Sequence, residues 1–151
     1  MVVFKLIHLL AVLIWVGGMF FAYVALRPAA VEVLEPPHRL RLWDAVFRRF
    51  FHWVWGSVAA LLASGSYIIY LYGGMAHVGQ HVHIMLVLGV VMMLIFGYVF
   101  FALYVPLSLN VANQHWKEAG ELLGKIRKLI ALNLMLGLLI VCVVVIGVSW
   151  S

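Results

Sequence analysis

FFHWVWGSVAALLASGSYIIYLYGGMAHVGQHVHIMLVLGVVMMLIFGYVFFALYVPLSLNVANQHW, residues 50–116, contains no Asp, Glu, Lys or Arg. A helix crosses a bilayer with roughly 20 apolar residues. This run therefore holds two crossings, parted by the turn formers Gly73, Gly74 and Gly79. Working outward, a second uncharged run covers Leu6–Leu26, and a third follows Lys128. Four spans result, at about residues 6–26, 51–72, 82–104 and 129–150. Strands of a membrane barrel alternate polar and apolar residues, and these runs do not, which leaves helices. The expected fold is an all-α integral membrane protein, an antiparallel bundle of four transmembrane helices in one domain, residues 1–151. Composition agrees: 67% of residues are hydrophobic and 10% charged, against roughly 25% charged in soluble domains.

The charges that exist are placed unevenly. Arg27, Arg39, Arg41, Arg48 and Arg49 flank the first connection, and Lys117, Lys125, Arg127 and Lys128 the third. The second connection has no Lys or Arg, and the N-terminal segment has only Lys5. Positive residues mark cytoplasmic loops, so both termini are expected on the periplasmic side of a bacterial inner membrane. The net charge of +5 thus reflects orientation in the bilayer, not nucleic-acid binding. A cleaved leader is not expected, because the first run is too long and Ala22-Tyr23-Val24-Ala25 is a poor cleavage site. Pro106 is expected to stop the third span, and Pro28 and Pro36–Pro37 to punctuate the first loop. Small residues at helical spacing, Ala11–Gly18–Ala22 and Gly56–Ala60–Ser64, are expected where backbones approach closely. Cys142, the single cysteine, excludes an internal disulfide and is expected to be a small buried hydrophobe.

Seven histidines carry the chemistry. His8 lies within the first span and His83 just inside the third, both near the periplasmic face. Ionisable residues in spans face the bundle interior or water. Two imidazoles at one depth on two helices suit axial ligation of a b-type haem. Trp15 stacks below His8, Ala11 and Gly18 leave a shallow surface for a porphyrin, and Lys5 is placed to pair with a propionate. Met85 offers a soft contact beside the macrocycle, with Met92 and Met93. The rival cargo is copper, for which the hairpin supplies Met75, His77 and His81 as thioether and imidazole donors. Simple interhelical hydrogen bonding is the third reading. His52 has no histidine at its depth except His38 or His115 and reads as interfacial, beside Trp53 and Trp55. All five carboxylates are expected in the cytoplasmic loops, and no nucleophile–base pair or phosphate-binding glycine loop is present.

Leu6-Ile7-His8-Leu9-Leu10-Ala11, Trp15-Val16-Gly17-Gly18-Met19-Phe20 and Leu26-Arg27-Pro28 resemble the copper-resistance D (CopD) membrane family. So do Ile126-Arg127-Lys128-Leu129, Asn133-Leu134 and Leu136-Gly137. That resemblance implies copper handling in the cell envelope. The first span is also distantly similar to HemJ-type protoporphyrinogen oxidases, four-helix membrane proteins that bind haem through a histidine matching His8. Their third span carries His-x-Lys, whereas this chain reads His83-Ile84-Met85, which argues against that enzymatic activity. The expectation is a haem b protein for electron transfer or redox sensing, with His8 and His83 on the iron. A quinol or periplasmic redox partner, the lipid bilayer and a second copy of the chain are its expected partners. Copper binding or transport is the alternative.

Overall fold

The structure, a computed structural model, describes residues 1–149. It contains four helices long and apolar enough to cross a membrane: α1 (Val2–Val33), α2 (Pro36–Leu71), α3 (Gln80–Ala112) and α4 (Trp116–Ser149). No strand occurs among the described residues. The expected end of the fourth span, Trp150, lies outside them. α1 packs most closely on α2, and α3 on α4, so two antiparallel pairs face each other. Leu9, Leu13, Val87, Leu94, Phe101, Met135 and Val145 point outward and exposed, as lipid-facing side chains must.

Each connection has a local cause. Pro36 forces the preceding Glu35 out of the helical region, and Glu35 is extended (φ −65°, ψ 153°). Pro36 and Pro37 then occupy the first turn of α2, where a missing N–H costs nothing. At the other end of the molecule, Gly73 (φ 89°) and Gly74 (φ 95°) adopt a conformation that favours glycine. A short 3₁₀ turn, Met75–His77, follows before α3 begins. The α3–α4 turn places Gln114 at φ 58°.

Two expectations based on proline are corrected. Pro106 does not stop the third helix, and Pro28 does not end the first. Proline lacks an N–H, and its ring presses on the carbonyl four residues back. Here that carbonyl belongs to Val24 or Ala102, and each lies in a π-helical turn, Ala22–Leu26 and Val99–Tyr104 respectively. The wider turn absorbs both the clash and the missing bond. Each helix therefore runs on about two turns past the expected span.

The core is concentrated toward the basic end, that of the two basic connections. Leu107, Ala119, Ile126, Val54 and Phe47 are fully buried there. Toward the hairpin end, with residues 72–79, burial nearly ceases. Beyond Val58, Met92 and Gly137, only Ala11 and Ser64 are buried among the described residues. Cys142 corrects its expectation, lying exposed on the outward side of α4. Gly56 is likewise exposed, so the Gly56–Ala60–Ser64 row does not run along one interface; between residues 56 and 64 the buried residues are Ser57, Val58 and Ser64.

Candidate functional site

Where packing loosens, the helices leave a cavity of ≈ 370 Å³ at the hairpin end. All four helices contribute to its wall. α1 supplies His8 and Trp15, α2 supplies Gly65 and Ser66, α4 supplies Gly137, and α3 supplies Met85, Met92 and Met93. Met75, from the hairpin, also lines it. The lining is mostly apolar, and it contains one imidazole and four thioethers.

His8 is held in a defined way. Its Nδ1 lies 3.0 Å from Ser64 Oγ. The Ser64 hydroxyl donates to the carbonyl of Ala60 on its own helix. That hydrogen being committed, Oγ accepts from His8 Nδ1–H, and the lone pair is left on Nε2. The ring also sits against bare backbone: a Cβ at Gly65 would lie 3.3 Å from His8 Cε1. The buried serine therefore selects the tautomer that leaves a neutral nitrogen free to act as a ligand.

The remaining predicted residues divide sharply. Trp15 is buried and forms the floor of the cavity, edge-on to Phe96 at 6.1 Å between centroids. Met85 and Met75 are in the wall. His83 is not: it is exposed, and its Nδ1 bonds back to the carbonyl of Gly79 at 3.2 Å. Helical geometry puts residues two apart about 200° from each other, so with Met85 turned inward, His83 turns out. Ala11 is buried in packing away from the cavity. Gly18 opens no slot for a planar ligand, because Phe50 fills that space; a Cβ there would lie 2.2 Å from Phe50 Cε2. Lys5 donates to the Tyr72 hydroxyl at 3.2 Å. His77 is exposed and bonded to Gly73 O at 2.9 Å, and His81 packs beside Gly147 on α4. His52 is exposed and bonds the carbonyl of Arg48 on its own helix.

Three features escaped sequence reading. Ser64 was visible only as a small packing residue. Asp44, expected in a cytoplasmic loop with the other carboxylates, instead lies buried in α2 and pairs with Arg48 at 2.6 Å. Asn133 is buried at the α3–α4 contact and donates to Met92 O at 3.1 Å, leaving its Oδ1 unpartnered. It borders a void of ≈ 10 Å³, about the room one water needs.

As ligand chemistry, the set is soft. Imidazole and thioether favour copper(I), whereas carboxylate-seeking ions find no Asp or Glu in the lining. No group of three or more His, Cys, Asp or Glu stands ready for a metal among the described residues. The family model described as Copper resistance protein D matches residues 44–146, more than half of the chain. No curated protein matches the chain, and no solved structure does.

Proposed function

The chain belongs to the copper resistance protein D family, and from that premise we propose that it binds copper(I), as cargo, in the hairpin-end cavity. The observation that carries this is His8 held by Ser64 with its Nε2 lone pair free, in a wall that also holds Met75, Met85, Met92 and Met93. Copper(I) accepts imidazole and thioether and needs few ligands. Met75 stands at the hairpin, and Met85 and Met92 follow along one face of α3, two turns or about 10 Å apart. Donors at successive depths suit an ion that enters from the hairpin side and moves inward. The distribution of positive residues supports reading that side as the one outside the cytoplasm.

Haem b is the second reading, favoured by the apolar wall with Gly65, Gly89 and Gly137 in it. In that case His8 is the one imidazole available, and a thioether such as Met85 replaces His83 opposite it, for electron transfer to a quinol or periplasmic partner. Titrating the purified protein with copper(I) against a chromophoric chelator tests the first reading. His8→Ala and Met85→Leu should each weaken binding at least tenfold, while the double variant His77→Ala/His81→Ala keeps wild-type affinity. Wild-type affinity in His8→Ala overturns it. A Soret band with stoichiometric iron in the protein as isolated gives the site to haem.

A further inference from the structure

A second cavity, ≈ 360 Å³, lies at the basic end and takes no part in the copper reading. Three helices each contribute one arginine to its lining: Arg27 from α1, Arg39 from α2 and Arg127 from α4. No Asp or Glu lines it, and the one ion pair among the described residues, Arg48–Asp44, is elsewhere. Arg27 rests over the Tyr23 ring at 5.2 Å, and neither Arg39 nor Arg127 has a carboxylate partner. The rest of the lining is mostly apolar, with Leu40 and Trp43 among it. Gly120 and Gly124, one turn apart on α4, also line it, and a Cβ at either would meet nothing within 4 Å.

Three positive side chains around one hollow favour an anion among them. Guanidinium groups match phosphate oxygens with paired hydrogen bonds. A soluble phosphate would satisfy the charges but leave the apolar wall uncovered. A phosphate that carries hydrocarbon satisfies both. We propose that this cavity binds the phosphodiester head group of an anionic membrane lipid, with its glycerol and upper acyl carbons against the apolar wall. The cavity lies at the charged ends of the spans, at the depth where head groups reside.

Native mass spectrometry of the full-length, delipidated protein tests this, with phosphatidylglycerol and phosphatidylcholine offered in turn. Phosphatidylglycerol should be retained preferentially. Arg39→Gln and Arg127→Gln should each weaken its binding about fivefold, the share of one arginine near such a head group. Gly124→Leu, which places a side chain in the hollow where an added Cβ meets nothing within 4 Å, should abolish the preference while thermal unfolding shows the fold intact. Lys128→Gln, exposed and outside the lining, should change nothing. Equal retention of both lipids, or an unchanged preference in both arginine variants, overturns the proposal. Displacement of phosphatidylglycerol by equimolar inorganic phosphate also overturns it, since the site would then take a soluble anion. Copper(I) affinity measured on the same variants should stay at the wild-type level, which separates this site from the other.

Discussion

The Ser64 hydroxyl has one hydrogen, and Ala60 takes it, so the serine meets His8 only as an acceptor. That arrangement predicts an effect for a residue that touches no ligand. Ser64→Ala should weaken copper(I) binding by about 10- to 100-fold, the usual cost of removing the partner that orients a ligating histidine. Chelator competition measures it, and an unchanged affinity would mean that His8 is not oriented through Nδ1. His8 was legible in the sequence because an imidazole is costly inside an apolar run and must face the bundle interior or water. Its partner was not, because a serine at helical spacing reads equally well as packing. The choice between His83 and Met85 was also illegible. Two residues apart on a helix face opposite ways, and which one turns inward depends on the pairing of α3 with α4, where Gly147 makes room for His81, and Gly137 for Val16 of α1 and for Met92.

At the scale of elements, adjacent glycines on α1 give the clearest contrast. A Cβ at Gly18 would lie 2.2 Å from the Phe50 ring of α2, whereas one at Gly17 would meet nothing within 4 Å. Gly18→Ala should therefore destabilise the protein by about 1–3 kcal/mol, as overpacking does. Gly17→Ala should be neutral or stabilise by up to about 1 kcal/mol through helix propensity. Thermal unfolding in detergent compares the two; equal effects would contradict the α1–α2 contact described. The spans themselves were legible from charge gaps alone, since bilayer thickness dictates their length. The helix ends were not. Pro28 and Pro106 look like terminators, and it is the π turns ahead of them that let the helices continue. The basic-end cavity was equally hidden, because Arg27, Arg39 and Arg127 stand far apart in sequence and read as orientation signals.

Across the whole molecule, a row of rings separates the two cavities. Trp15 meets Phe96 at 6.1 Å, Phe96 meets Phe51 at 5.4 Å, Phe51 stacks on Phe47 at 4.9 Å, and Phe47 meets Trp43 at 5.2 Å. Trp15 lines the hairpin-end cavity, and Phe47 and Trp43 line the other. On the proposed reading, an ion loaded at His8 faces an aromatic barrier, and passage would require those rings to move. The proposed orientation rests on the positive residues, and it predicts that a reporter active only in the cytoplasm is inactive when fused after Ser151. Activity there would reverse the bundle and put the methionine-lined cavity on the cytoplasmic side. X-ray absorption of the copper(I)-loaded protein reads the ligands themselves. Copper held by His8 and the methionines should show sulfur scatterers together with one imidazole, the imidazole contribution vanishing in His8→Ala while sulfur persists. A shell of nitrogen and oxygen alone, the same in His8→Ala as in the wild type, would contradict that site.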